Sequence, residues 1–264
     1  MNRLLIRTMR LVTILLISSS CARNVEVGKT VSDAKGSTTL YGNTFLHGKI
    51  SSIVYEDKDG NDSIQFVYNK EKHLYKSIFY VGGKEDGYCN YGYNGSDRID
   101  LHYYDNNNNE TSYSIVEFDD RKNITLWRDY GYIYPDTTKM VLLYMKHDSY
   151  DKDNRRDVAF EYFCDGIPPY KYRYSYNSDG IEMEECCLAV TGEIYTITKR
   201  IRDKMGNVVD ESENMPRDNS EWSNVKIEYK YDDKGNWVER KITGSGSLGY
   251  LDRHSKRKIH YLDE

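Results

Sequence analysis

The stretch Val225-Lys226-Ile227-Glu228-Tyr229-Lys230-Tyr231 alternates strictly between apolar or aromatic residues and charged residues. Successive side chains of a β-strand point to opposite faces, so this alternation predicts a strand with one buried face and one wet face. The segment Asp233-Lys234-Gly235-Asn236 follows directly, and it supplies an aspartate that can hydrogen-bond the backbone and a glycine that accepts a positive φ. Together the two segments predict a strand that ends in a tight hairpin turn.

Both signals recur along the chain. Alternating stretches of the same kind lie at Tyr170–Tyr176, Ile64–Tyr68 and Ile99–Tyr103. Turn sequences built from Asp, Asn and Gly recur between such stretches, at Asp57–Asn61, Asp105–Asn109, Asp120–Asn123, Asn177–Gly180 and Asp203–Asn207. The chain has 26 tyrosines, six phenylalanines and only four prolines, which favours long paired strands. The sequence therefore predicts an all-β fold, an antiparallel meander of Tyr-rich hairpins, although Ile181–Val190 could instead form a short helix.

The N-terminal segment has the pattern of an export signal. Residues 1–20 contain three arginines and no acidic residue, followed by the apolar run Leu11–Ile17 and three serines. This segment resembles a bacterial lipoprotein signal peptide, which implies cleavage before Cys21 and lipidation of that cysteine. Ala22 follows the cysteine where the family often places an inner-membrane retention Asp, so the resemblance implies the outer membrane. Ordinary secretion, with Cys21 an incidental thiol, is the alternative.

The remaining chain divides into two parts. Residues 21–44 are polar and read as a flexible tether carrying the lipidated cysteine, and residues 45–264 read as one β-repeat domain. The formal net charge is −5, and because three arginines lie in the leader the mature chain carries roughly −8. A net negative protein is poorly suited to nucleic acid, so we expect no nucleic-acid partner.

Four cysteines follow Cys21, and we expect them to be mostly free, buried thiols: Cys89, Cys164, Cys186 and Cys187. No Cys/His spacing typical of zinc is present. The acidic turn Asp57–Asp62 has oxygen ligands at alternate positions, as Ca²⁺ prefers, but it lacks the bidentate Glu of a calcium loop. We therefore expect neither a metal nor a cofactor.

The segment Tyr229–Trp237 resembles the tyrosine-aspartate (YD) repeat of Rhs-type proteins and of many bacterial lipoproteins. The other turn sequences are similar to degenerate copies of that repeat. The resemblance implies antiparallel hairpins that stack into an extended, twisted or curling sheet. It brings no catalytic residue to this chain.

Motifs for catalysis are missing from the sequence. No serine lies in a GxSxG elbow, the six histidines show no metal spacing, and Gly244–Gly249 matches GxGxxG without room for a βαβ unit. The predicted function is a non-enzymatic binding or scaffolding module of the envelope, with a glycan or protein partner. Tyr172 and Tyr174 are the candidate ligand-binding residues, unless the tyrosines of that strand are simply its buried face. The alternatives are a polysaccharide-acting enzyme with a carboxylate pair and a purely structural envelope protein.

Overall fold

The computed structural model describes residues 38–41, 44–57, 60–70, 73–121, 123–133, 136–164, 168–216, 222–246 and 249–262. Within these ranges no helix has the length and apolar character that crossing a bilayer requires. The described residues form eighteen strands. These are β1 (Thr38–Tyr41), β2 (Thr44–His47), β3 (Ile50–Asp57), β4 (Gly60–Tyr68), β5 (Leu74–Val81), β6 (Lys84–Tyr93), β7 (Arg98–Asp105), β8 (Glu110–Phe118), β9 (Ile124–Ile133), β10 (Asp136–Tyr150), β11 (Arg156–Phe163), β12 (Tyr170–Tyr176), β13 (Glu182–Leu188), β14 (Ile194–Arg202), β15 (Val208–Asn214), β16 (Ser223–Tyr231), β17 (Trp237–Gly246) and β18 (Gly249–Tyr261).

Strands β3 to β18 form a closed antiparallel barrel in which each strand pairs with its neighbours in sequence. The barrel closes where β18 pairs with β3, from Lys256 opposite Glu56 to Tyr261 opposite Ile50. The predicted extended or curling sheet is therefore wrong, and so is the resemblance to the YD repeats of Rhs-type proteins that implied it. An open sheet leaves two rows of unsatisfied backbone groups at its edges, whereas closure gives both edge strands a partner.

The local strand predictions agree with the structure better than the overall shape does. Strand β12 spans the predicted Tyr170–Tyr176, and the ambiguous segment Ile181–Val190 contains strand β13 rather than a helix. The hairpin β1–β2 begins at Thr38, within the segment predicted as a tether. The predicted signal peptide and Cys21 lie outside the described residues.

Among the residues that the structure describes, seven turns of one type lie at one end of the barrel, which we call the base. They begin at Asn69, Asn94, Asp119, Asp151, Asn177, Asp203 and Asp232, so that successive turns lie 25–32 residues apart. In each, the backbone N–H of this Asx donates to the carbonyl of the fifth turn residue, over 2.8–3.1 Å. The fourth residue adopts a positive φ at Asn154, Gly180, Gly206 and Gly235, which is why Asn or Gly recurs there.

A tyrosine directly precedes five of these seven turns, and another ends β18 at the same end of the barrel. We call these six residues the tyrosine belt: Tyr68, Tyr93, Tyr150, Tyr176, Tyr231 and Tyr261. The first four hydroxyls each donate to the carbonyl of the first residue of the preceding strand, over 2.6–3.1 Å. Tyr231 and Tyr261 bond instead to Asp203 and Asp232, at the turn before the preceding strand. The belt thus fastens successive hairpins to one another around the base.

The interior of the barrel is apolar on one side. Two neighbouring clusters line β3 to β8, and they contain Ile50, Ile53, Ile64, Phe66, Leu74, Cys89, Ile99, Leu101, Val116 and Phe118. Leu46 of β2 is fully buried in the same side, where it packs against inner side chains of β3 to β5. This side of the interior supplies the burial of apolar surface that a large sheet needs for its stability.

The four described cysteines are free thiols. Cys89, Cys186 and Cys187 are buried, whereas Cys164 is exposed. Burial raises the pKa of the Cys186 thiol to about 11, and the Cys187 thiol donates to the carbonyl of Lys171 over 3.4 Å. Buried thiols held in this way are packing groups rather than nucleophiles.

Candidate functional site: the inner wall and mouth of the barrel

The inner wall of β13 to β15 carries a buried ion-pair network that we call the Arg200 cluster. The Arg200 guanidinium contacts Glu182 at 3.3 Å, Glu184 at 3.2 Å and Glu211 at 2.7 Å. Arg202 lies 3.5 Å from a second oxygen of Glu182. Strand alternation points these residues inward, so charges line this side of the barrel where the opposite side is apolar.

Burial acts differently on the two glutamates that share Arg200. It raises the pKa of Glu182 above its ordinary value, although Arg200 opposes the shift. At Glu184 burial also disfavours the charge, but Arg200, Tyr174 and Lys146 outweigh it and leave the pKa below its ordinary value. This carboxylate pair is the feature that a polysaccharide-acting enzyme would need, yet both glutamates are less than 10% exposed and engaged with arginine. Both carboxylates are thus engaged in the ion pairs of the wall.

The tyrosines of β12 form a ladder on the inner face, from Tyr170 near one end to Tyr176 near the base. The Tyr172 hydroxyl donates to Glu161 over 2.9 Å, and Lys146 lies 2.9 Å from the same carboxylate. Tyr174 is buried with the Arg156 guanidinium 5.3 Å from its ring centre, and Arg156 in turn pairs with Asp148 at 3.1 Å.

The structure thus places the predicted ligand-binding residues, Tyr172 and Tyr174, on the inner wall and in contact with buried charges. Their role in ligand binding stays a prediction. Among the described residues, no group of three or more His, Cys, Asp or Glu side chains is placed to hold a metal ion.

The end of the barrel opposite the base, which we call the mouth, carries an arc of aromatic rings. Its members are Tyr144, Phe163, Tyr170 and Tyr195, and we call this set the aromatic arc. The ring centres of successive members lie 5.2, 6.3 and 6.0 Å apart, with tilted or edge-on contacts. Phe163 and Tyr195 are each 37% exposed, whereas the tyrosines of the ladder below are shielded by ion pairs. The arc is thus the part of the aromatic wall that an external ligand can touch.

Sequence reasoning did not find the arc, because two of its members come from strand ends. Phe163 is the last residue of β11, and Tyr195 lies at the irregular start of β14, where the pairing with β13 shifts register. Alternation within a single strand identifies neither. Tyr170 was visible, since it begins the alternating stretch of β12.

The outer wall of the barrel is polar along β16 to β18. The outward-facing residues there are Asn224, Lys226, Glu228, Lys230, Glu239, Lys241, Thr243, His254, Lys256 and Lys258. A barrel surrounded by lipid presents an outward apolar band about 25 Å tall. Because these strands carry charges along most of their length, this part of the wall faces water.

The chain is similar in fold to several solved structures, and two of them are porin-like proteins. One is a porin-like protein from Bacteroides uniformis ATCC 8492, with 10% sequence identity and a TM-score of 0.48, covering 80% of this chain and 96% of that chain. The other is a porin-like protein from Bacteroides vulgatus ATCC 8482, with 12% identity and a TM-score of 0.47, covering 81% of this chain and 99% of that chain. No family model matches the chain, that of the YD repeat included, and no curated protein matches it in sequence.

Proposed function

We propose that this protein is a non-enzymatic binding protein of the bacterial cell envelope that captures a glycan at the mouth of its barrel. The observation that supports this proposal is the aromatic arc, in which four rings lie side by side and two of them are open to solvent. Aromatic rings offer large, rigid contact areas at a low cost in conformational entropy, and they suit the flat apolar faces of sugar rings.

Polar groups lie directly below the arc, on the side of the base, and in this proposal they bind the hydroxyl groups of the glycan. Glu161 interacts with the Tyr144 hydroxyl of the arc, and it also accepts from Tyr172 and pairs with Lys146. A ligand pocket usually combines an apolar lining with a few placed polar groups that fix orientation. In this proposal Glu161 and Lys146 meet sugar hydroxyls, Tyr172 orients Glu161 through its hydrogen bond, and Tyr174 lies below them in the ladder.

The test is glycan binding by the purified mature protein. We expect an array of bacterial-envelope and host oligosaccharides to retain at least one ligand, whose affinity is then measured by calorimetry. Removing two exposed rings, in the variant Phe163→Ala/Tyr195→Ala, is expected to weaken that affinity by at least about tenfold. Tyr172→Phe is expected to weaken it by a smaller factor, because it removes a hydroxyl that orients Glu161.

The matched control is Tyr162→Ala. Tyr162 precedes Phe163 in β11 and is 38% exposed, but its side chain points to the outer face of the barrel. This variant is expected to bind as the wild type does. If the array retained no oligosaccharide, the proposed function would be wrong, and if Tyr162→Ala weakened binding as much as the double variant, the arc would not be the site.

The envelope location is the other half of the proposal, and it rests on the leader-like N-terminus and Cys21. Cells fed labelled palmitate are expected to label the wild-type protein, which should sediment with membranes. Cys21→Ser is expected to take up no label, because serine has no thiol to carry the lipid. Without those acyl chains the protein has no stable membrane anchor and should appear in the soluble fraction. An unlabelled wild-type protein that is released from the membrane fraction would mean ordinary secretion.

A further inference from the structure

Two arginines lie on the inner face of β17 and β18 against the same tryptophan. The Arg257 guanidinium carbon is 3.7 Å from the ring centre of Trp237, and that of Arg240 is 5.1 Å away. Arg257 also donates through Nε to the carbonyl of Trp237 over 2.6 Å. Arg257 is only 3% exposed, so its charge has been removed almost completely from water.

Among the described residues, no carboxylate forms an ion pair with either of these two arginines, and the side chains that interact with them are tyrosines. Tyr55 interacts with Arg257 and Tyr229 with Arg240, whereas Nη1 and Nη2 of Arg257 and Nε of Arg240 are buried without a hydrogen bond of good geometry. Both tyrosines are neutral phenols whose pKa burial raises, so they stay uncharged. Neither phenol can balance a guanidinium charge.

The carboxylate that acts on Arg257 most directly is already used elsewhere. Asp232 accepts from the backbone N–H groups of Lys234 and Asn236 and from the Tyr261 hydroxyl, as the first residue of a base turn. Burial lowers the pKa of Arg257, and the neighbouring charge of Arg240 adds to that effect. Two like charges therefore face each other in the interior with no carboxylate between them.

Comparison with the Arg200 cluster shows that the missing groups at Arg240 and Arg257 are carboxylates. Arg200 is buried to a similar degree, yet three carboxylates contact it within 3.3 Å. An uncompensated buried charge is strongly unfavourable, so proteins normally pair such a charge or neutralise it with a bound ion. At Arg240 and Arg257 the chain supplies two cations and their donors, but no carboxylate in contact with them.

We propose that Arg240 and Arg257 form a binding site for a small phosphate- or sulfate-type oxyanion inside the barrel. A guanidinium presents its donors in a planar fork that fits such an oxyanion through two parallel hydrogen bonds. Two positive charges match a dianion, and the near-complete burial of Arg257 favours a small group over a bulky one. The site lies on strands β17 and β18, away from the aromatic arc, and does not depend on the proposed glycan binding.

The experiment is thermal unfolding of the purified mature protein in increasing sodium phosphate or sodium sulfate, with sodium chloride holding the ionic strength constant. A ligand that binds only the folded state raises the melting temperature in a saturable way. We expect such a rise with phosphate or sulfate and none with chloride alone. Identical responses to all three salts would overturn the proposal.

Variants locate the site. Arg257→Met is expected to abolish the saturable rise and, without oxyanion, to melt no lower than the wild type, because it removes an unbalanced charge. Arg240→Gln is expected to weaken the oxyanion midpoint by at least about tenfold, and it serves as the test if Arg257→Met does not fold. The control Arg253→Met removes an exposed arginine of the same strand and should keep the full response. An unchanged response in Arg240→Gln would overturn the assignment.

The source of the oxyanion is decided by a further titration with glycerol phosphate. A midpoint comparable to that of inorganic phosphate would mean that the site accepts a phosphomonoester, such as a lipid or sugar headgroup. A response confined to the inorganic ions would mean that the site holds a free ion. Either result supports the site and identifies its ligand.

Discussion

Replacing Arg200 with methionine is expected to lower the free energy of unfolding by about 3–5 kcal/mol. The substitution leaves Glu182 and Glu184, both almost fully buried, without the guanidinium that contacts them at 3.3 and 3.2 Å. Methionine fills much of the same space, so the cost reflects lost charge compensation more than a cavity. Urea unfolding followed by circular dichroism measures the change.

The matched control for Arg200→Met is Arg173→Met. Arg173 pairs with Glu185 at 3.2 Å on the outer face, where both side chains are more than a third exposed. Water compensates exposed charges, so this change is expected to cost less than about 1 kcal/mol. Restoring neutrality in the variant Arg200→Met/Glu182→Gln/Glu184→Gln should recover part of the loss. Equal costs for Arg200→Met and Arg173→Met would contradict this account of the network.

The pH dependence that Glu184 contributes should also change sign in Arg200→Met, whereas that of Glu182, whose pKa burial already raises in the wild type, should keep its sign. In the wild type the pKa of Glu184 lies below its ordinary value, so its contribution is complete above the unfolded-state pKa and is lost as pH falls through the folded value. Without Arg200, burial raises the pKa of both glutamates above that of the unfolded chain. Acidification then favours the folded state, so the gap between variant and wild type should narrow in mildly acidic buffer.

Replacing Gly244 with alanine is expected to cost roughly 3 kcal/mol or more. Gly244 lies in β17 opposite Val225 of β16 and has a φ of +133°, which L-residues rarely adopt. A Cβ atom there would lie 2.0 Å from the carbonyl oxygen of Asn224 and 3.0 Å from the Cα of Val225. Both obstacles belong to the backbone, so the two strands must move apart at that point.

Gly180→Ala separates strain at a positive φ from this steric overlap. Gly180 has a φ of +77° in a base turn, and a Cβ there would meet nothing within 4 Å. Only the left-handed conformation is penalised, so the expected cost is about 1 kcal/mol. Comparing the urea midpoints of Gly244→Ala and Gly180→Ala separates the cost of steric overlap from that of the positive φ. If Gly244→Ala were no less stable than Gly180→Ala, β16 and β17 would not approach as closely as described.

Local structure could be predicted from the sequence because alternation and turn chemistry act within a few residues. The alternating stretches at Tyr170 and Val225 are strands, and the turns at Asp203 and Asp232 have the expected aspartate hydrogen bonds. Closure could not be predicted in this way. It depends on residues 50–56 pairing with residues 256–261, and no local signal links segments about 200 residues apart.

The sequence also did not reveal which face of each strand points into the barrel. In β14, hydrophobicity alone would turn Ile197 and Ile201 inward, yet Arg200 and Thr198 are buried and Ile201 is 43% exposed. Arg200 faces inward because it pairs with Glu182 and Glu184 of β13, so the choice of the inward face of β14 depends on partners in another strand. The same dependence explains why the aromatic arc, whose four members come from four different strands, was not found.

The closing pair of strands has a consequence for orientation. The barrel begins at Ile50 and ends at Tyr261, which face each other across the closing pair, and Leu262 bonds back to Lys49 over 2.8 Å. The chain therefore enters and leaves at the same end, among the polar turns. If Cys21 holds the chain to a lipid surface, the base is the end of the barrel closer in sequence to that anchor, and the aromatic arc lies at the opposite end.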